Sequence, residues 1–297
     1  MNDEICIYNV IRSKLVQPGF LIKLIICIVL LVTTLCDRLD TIPFLYQNIA
    51  MENGNILMYL LMVFTDPDIA YYSILLSFAI LVSDIVYEEY LTKNIYVMYK
   101  SRKNIFFGIL KLTAFFSLIF IILFLILAMV IGLCGGLEMS FGFTPDLIDV
   151  LSKEQDFYLL RTAIYHPKSI LNYKSFVVLG MVVFKYYVGL ILLSMFGFIF
   201  SIKNDSVQNG AVALLIMLLF HIAILNYYGP WRFYSIGISI DLTDIFSYIT
   251  LQRFFIYDFV GIKEDVVILF RDTMLTGVIW FMALSAIIYN ILKKKDI

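Results

Sequence analysis

Two groups of residues carry the chemistry legible in this chain: a charged run between positions 83 and 104, and two ionisable side chains stranded in apolar sequence. In the run, Asp84 precedes the acidic pair Glu88-Glu89, Thr92-Lys93 follows, and Ser101-Arg102-Lys103 closes it. Between them Ile95, Tyr96 and Tyr99 stand among polar residues, the spacing of a short amphipathic helix held parallel to a membrane. Such a helix offers a contact surface to a cytosolic protein; the competing reading is a solvated loop that only obeys the positive-inside rule. Lys185, beside Tyr186 and Tyr187, has no acid within a helical turn, and His221 interrupts another apolar stretch. A charge at bilayer depth costs at least about 2.5 kcal/mol and faces protein or water. Lys185 and His221 are therefore candidates for a substrate path or dimer interface; otherwise Lys185 snorkels and His221 makes an interhelical hydrogen bond.

Other chemistries find little support in the residues. No Gly-x-x-x-x-Gly-Lys-[Ser/Thr] is present, so the chain does not cradle ATP phosphates by that route. There is no Gly-x-Ser-x-Gly, and only two histidines exist to act as a base. The four cysteines, Cys6, Cys27, Cys36 and Cys134, form no Cys-x-x-Cys pair and have no histidine at ligand spacing, so neither a metal site nor a disulfide framework is expected. Cys36 and Cys134 are expected at one membrane face, with their pairing left open. No ring of charges or Gly-rich filter suggests a channel, and a net charge of −1 does not call for a nucleic-acid partner.

The elements that must position these residues follow from composition. The chain is 62% hydrophobic and 15% charged, against about 25% charged for a soluble domain, and its apolar residues fall in runs of the length that spans about 30 Å of hydrocarbon. We expect an all-α integral membrane protein, a single permease-like domain with six transmembrane helices at Gly19–Cys36, Ile69–Tyr87, Ile105–Leu133, Phe176–Ile202, Gly210–Tyr228 and Met274–Leu292. Lipid-exposed backbone must satisfy its own amides, and no alternating barrel pattern is present. With the N-terminus inside, the cytoplasmic pieces carry 12 cations against 6 acids and the outer pieces 9 cations against 16 acids. That asymmetry places both termini in the cytoplasm of a multi-pass protein. The first span lacks a small-residue cleavage site and reads as an uncleaved anchor.

Within residues 1–18, Ile7, Val10, Ile11 and Leu15 recur at helical spacing before Pro18-Gly19, the pattern of an interfacial elbow helix; a polar leader is the alternative. Ile56 to Phe64 is too short to span and is expected to dip into the outer leaflet or pack on other spans. Residues 134–175 read as an exposed outer lobe, and 229–273 as an outer re-entrant region in which Leu242 to Val260 has the spacing of an interfacial helix.

The order of acidic pair, short polar stretch, amphipathic helix, Ser101-Arg102-Lys103 and Gly108 resembles the coupling-helix region of type-2 permeases of ATP-binding-cassette (ABC) transporters. Six spans, an inner elbow and a re-entrant outer element before the last span extend the resemblance over nearly the whole chain. The chain has Thr92-Lys93 where that family usually has Gly-Thr, Lys100 where it often has Pro, and a separated Gly108 and Lys111 where it has an adjacent pair. The resemblance implies a transport subunit of a bacterial cytoplasmic membrane exporter, not itself an enzyme. Cytosolic ABC ATPase subunits, which carry the ATP and Mg, would dock on Glu88, Glu89, Thr92, Lys93, Ser101, Arg102 and Lys103, and a second permease copy, identical or not, would complete the complex. Spans rich in Tyr and Phe (20 and 26 in the chain) suit an amphipathic cargo such as an antimicrobial peptide. Two alternatives stand beside it. One is a non-transporting immunity or anchor protein. The other is an intramembrane protease, since Glu88-Glu89 with His166 and His221 is similar to the Abi-type pattern; Lys93 there replaces the arginine, and His166 falls on the opposite face.

Overall fold

The computed structural model describes residues 16–47, 55–65, 69–87, 102–145, 148, 171–227, 232–235, 238–241, 251, 254–255 and 266–294. The helices are α1 (Pro18–Gln47), α2 (Ile56–Thr65), α3 (Leu76–Val82) between π-helices Ile69–Leu75 and Ser83–Tyr87, α4 (Arg102–Cys134), α5 (Ser175–Asn204), α6 (Val207–Tyr227) and α7 (Val266–Lys294). Four stretches are long and apolar enough to cross a bilayer: Pro18–Leu39, Lys103–Cys134, Ser175–Asn204 and Phe270–Lys294. This is a mostly helical membrane protein. Large apolar side chains cover its outside: on α1, Ile22, Ile25, Ile26 and Val29 are more than half exposed, while Cys27, Leu31 and Leu35 face the bundle. A fully apolar helix with one face against protein and the other against hydrocarbon needs no polar side.

At 1.5 Å per residue, α4 with 33 residues is about 50 Å long, well beyond the hydrocarbon, as its apolar run had indicated. The hub is α5, which packs most extensively on α6 and α7 and also touches α4 and α2. Its turn into α6 is only two residues: Asp205 adopts a left-handed φ of 48°, and the Ser206 amide donates back to Ser201 O at 3.2 Å, closing the helix end.

Several expectations change. α1 does not stop at Cys36 but runs through Asp37, Arg38 and Pro43 to Gln47; no Gly or Pro stands between Cys36 and Pro43 to end it at the charged pair. α7 begins at Val266 rather than Met274; Arg271 and Asp272 are carried in the helix with Arg271 Nε on Asp272 Oδ1 at 3.1 Å. The fold is not purely α: Arg232–Ser235 and Ile238–Asp241 pair antiparallel, Arg232 opposite Asp241 and Ser235 opposite Ile238. Phe233 and Tyr234, both of strand-favouring type, stand opposite Ile240 and Ser239 in that ladder. A continuous helix over Leu242–Val260 is also broken, since Leu251 has a φ of 60°, a conformation that no helix interior tolerates. The elbow of residues 1–15 lies outside the described residues.

The ten-residue α2 is the most deeply buried element, with Ile56 through Phe64 at most 2% exposed. It packs on other helices, as one of the two expected readings had it. In hydrocarbon the apolar side chains gain little by leaving lipid for protein, so polar closure of its first turn matters. Ile56 N donates to Glu138 O (3.0 Å) and Leu57 N to Ser140 O (3.3 Å). Asn55 Oδ1 accepts from Met58 N at 2.9 Å, and Asn55 Nδ2 donates to Gly142 O at 2.8 Å. Three amide donors that a helix start normally leaves orphaned are thereby satisfied. Residues 138–142, expected in an exposed lobe, include the exposed Glu138, Met139 and Gly142, and their backbone also caps α2. At its side Tyr59 donates to Leu35 O at 2.7 Å, and Gly132 of α4 makes room for the Ile56 and Tyr59 side chains.

Candidate functional site

Glu88, Glu89, Thr92, Lys93 and Ser101 lie outside the described residues. Arg102 is the first residue of α4, and Lys103 follows it with an exposed side chain. On the N-terminal side of this segment stands Tyr87. Tyr87, the last residue of the second π-helix, is fully buried and donates to Ser194 O of α5 at 3.1 Å. Its ring lies 6.1 Å from that of Phe198, and it occupies the space that side chains at Gly197 and Gly210 would need. A methyl group on Gly210 would stand 2.8 Å from Gly197 O and 2.9 Å from the Tyr87 ring, and would overlap Ser201 Oγ. α5 and α6 thus approach closely at Gly197, Ser201 and Gly210, with Tyr87 as the wedge in the notch. The two π-helical stretches, the second of them ending in Tyr87, wind more residues per turn than an α-helix and so change the face on which Tyr87 emerges. Sequence reasoning missed the joint. The available signal was Gly197-x-x-x-Ser201, a small-xxx-small spacing.

A second feature lies at mid-bundle. Lys185 is only 6% exposed, so it is packed within protein and does not lie along the lipid face. It shares a face of α5 with Gly189, one turn on. Against Gly189 sits a turn from the far side of the chain: a methyl group there would meet Phe254 Cβ at 2.6 Å and the Phe255 ring at 2.7 Å. Gly277 of α7 receives the Phe254 ring from the other side, 3.1 Å from where its Cβ would be. Leu251, Phe254 and Phe255 are all buried, Phe254 N donates to Leu251 O at 3.0 Å, and Tyr186 donates to Phe255 O at 2.8 Å. Edge-on aromatic contacts continue inward, Phe255 to Tyr186 at 5.4 Å, Tyr186 to Phe64 at 5.0 Å and Phe64 to Phe124 at 5.2 Å. Gly189 is 14 residues from Ser175, about 21 Å along α5. The turn therefore enters the bundle to roughly half its depth. Its left-handed leucine costs on the order of 1–2 kcal/mol and persists because the surrounding packing holds it. Sequence periodicity had placed this region along or partly within the outer interface, inside an expected re-entrant stretch; that Phe254 and Phe255 enter against Gly189 and Gly277 is decided by the tertiary structure.

Gly189→Leu should expel the turn. The expected result is a new tryptic cut after Arg253, whose leaving-side residues Phe254 and Phe255 are buried in the intact chain. An unchanged digestion pattern would show that the turn is held elsewhere.

His221 belongs to α6, and its side chain lies outside the described residues. Cys27 is a buried free thiol, donating to Ser77 O at 3.6 Å, and Cys36 and Cys134 are exposed free thiols. Among the described residues no three His, Cys, Asp or Glu side chains cluster in a way that would hold a metal. Six buried hydroxyls, of Ser73, Ser77, Ser117, Ser194, Ser201 and Ser285, have no hydrogen-bond partner among the described residues; two of them, Ser194 and Ser201, flank the Tyr87 notch. No family model, curated protein or solved structure matches the chain.

Proposed function

We propose that the chain is the membrane-spanning permease subunit of an ATP-driven exporter, with α1, residues 69–87, α4, α5, α6 and α7 as six spans and both termini cytoplasmic. The observation that carries the reading is the mounting of the 88–101 segment. It starts from a tyrosine locked into the α5–α6 notch and ends at the basic start of a helix about 50 Å long. A motor protein pressing on such a segment works against the helices and not against a slack loop. The charge asymmetry between the two sets of connecting segments supports the orientation. The residues in contact with the ATPase would be Glu88, Glu89, Thr92, Lys93, Ser101, Arg102 and Lys103. ATP and Mg would be held by those separate subunits, because the chain has no phosphate-binding loop of its own. Tighter ATP binding to the closed ATPase pair would then shift the permease dimer between its states. Lys185 and the Phe254–Phe255 turn lie where an amphipathic cargo would pass, and His221 is the further candidate on that path.

The test is purification of the tagged chain from its native membrane in mild detergent. An ABC ATPase should co-purify, and hydrolysis by the complex should rise with an amphipathic peptide from a test panel. Arg102→Glu combined with Lys103→Glu should insert normally and lose that stimulation. A chain that purifies without an ATPase would favour the immunity or anchor reading, and unchanged stimulation in the double variant would remove the coupling assignment.

A further inference from the structure

At the end of the bundle where α4 begins and α7 ends, the four charged side chains described on these two helices are all lysines: Lys103 and Lys111 on α4, Lys293 and Lys294 on α7. All four are exposed. The two helix ends meet through aromatic rings, Phe106 against Tyr289 with centroids 6.5 Å apart and nearly perpendicular planes. Lys103 is one turn from Phe106 on α4, and Lys293 is one turn from Tyr289 on α7, both toward the same end. A basic cluster thus caps an aromatic pair.

Lys111 decides what this cluster is for. It stands on α4 between Phe107 (56% exposed) and Phe115 (43% exposed), with Leu118 (44% exposed) continuing the strip. That strip is the outward, apolar face of a membrane-spanning helix. From Leu112 to Leu133 the sequence holds no charge for 22 residues, about 33 Å of helix, which matches the thickness of the hydrocarbon. Lys111 therefore lies at the hydrocarbon boundary, where a lysine stem lies along apolar surface and its ammonium sits at phosphate level. Lys103 is eight residues away, about 12 Å farther along the helix. A soluble protein docked on the end of the bundle would meet Lys103, Lys293 and Lys294, but Lys111 is set back among lipid-facing rings.

We propose that Lys103, Lys111, Lys293 and Lys294, with Phe107 and Tyr289 (39% exposed), form a binding site for the headgroup of an anionic phospholipid. The phosphodiester sits at the level of Phe107, its acyl chains run down the Phe107–Phe115–Leu118 strip, and lysines address it from both sides. A cation near a charged bilayer surface contributes enough to change binding about fivefold. The site shares Lys103 with the ATPase contact of the permease reading; Lys111, Lys293 and Lys294, which that reading does not use, carry the test.

The tagged full chain, reconstituted in nanodiscs of equal parts phosphatidylglycerol and phosphatidylcholine with identical acyl chains, tests this by native mass spectrometry of the lipids it retains. Wild-type chain should retain phosphatidylglycerol preferentially. Lys111→Gln should reduce the preference about fivefold, Lys293→Gln with Lys294→Gln should reduce it further, and Lys111→Arg should restore it, which separates charge recognition from misfolding. Inorganic phosphate in excess should not compete, because the strip recognises the chains as well as the headgroup. Three results overturn the proposal: no lipid preference in the wild type, an undiminished preference in the glutamine variants, or displacement of the lipid by inorganic phosphate. If the glutamine variants instead lose a co-purifying protein with lipid preference intact, the lysines serve a protein partner and the lipid site is refuted.

Discussion

Gly210→Ala is expected to destabilise the bundle by roughly 3 kcal/mol, at the upper end of what overpacking usually costs, and Gly210→Val is expected to prevent assembly. The reason is the identity of the atoms in the way. Where an added methyl meets the end of a flexible side chain, that chain rotates. Here one neighbour is the Gly197 carbonyl oxygen, 2.8 Å from the added carbon, and another is the Tyr87 ring at 2.9 Å. The ring is itself held by its hydrogen bond to Ser194 O. Relief therefore requires α6 to move away from α5 and from Tyr87, which opens one of the two most extensive helix contacts of α5. Val212→Ala on the same helix is the control, because Val212 is 50% exposed and a surface change of that kind usually stays within about 0.5 kcal/mol. Thermal melting of the purified chain in one detergent, followed by the monodisperse fraction on size exclusion, reads both. A Gly210→Ala chain that melts with the wild type would mean that the helices do not approach as closely as the structure has them.

Asn55→Leu has the second large expected effect, about 3 kcal/mol. Asn55 is 4% exposed and joins two segments that lie 87 residues apart, accepting from Met58 N and donating to Gly142 O. Losing an N-cap of this type costs about 1 kcal/mol, and each buried group left without a partner adds about 1–3 kcal/mol. Asn55→Asp should recover part of the loss, since it keeps the acceptor for Met58 N but has no donor for Gly142 O. Hydrogen exchange of a peptide covering Ile56–Phe64 gives a local reading beside the global melt: it should accelerate strongly in the leucine variant and less in the aspartate variant. Unaltered exchange in both would show that Glu138 O and Ser140 O alone hold the helix start.

These two residues also show where sequence reasoning stops. Long apolar runs made the membrane-crossing helices legible, with ends within a few residues for α4 and α5, because about 20 apolar residues in succession have no other stable solution in a bilayer. The same logic reads poorly at charged edges. Asp37, Arg38, Arg271 and Asp272 looked like span boundaries, yet a helix passes through charges once it leaves the hydrocarbon, so α1 and α7 run longer than their apolar parts. The nine apolar residues from Ile56 were recognisably too short to span, but nothing local says that residues 138–142 supply their cap. Lys185 was identifiable as a stranded charge, and its burial was not. The 88–101 segment was singled out by its residues, whereas the tyrosine that anchors it was passed over as an ordinary span end.

What the sequence determines by itself is the solvent of the protein, its helical backbone and the two sets of connecting segments with opposite charge balance, since these depend on composition and spacing along the chain. Which faces meet was decided only in the tertiary structure. In lipid every apolar face is equally content, so hydrophobicity does not choose the contact surface. The choice falls to missing side chains and a few polar bonds between distant residues: Tyr87 against Gly197 and Gly210, Phe254 against Gly189 and Gly277, and Asn55 against Gly142.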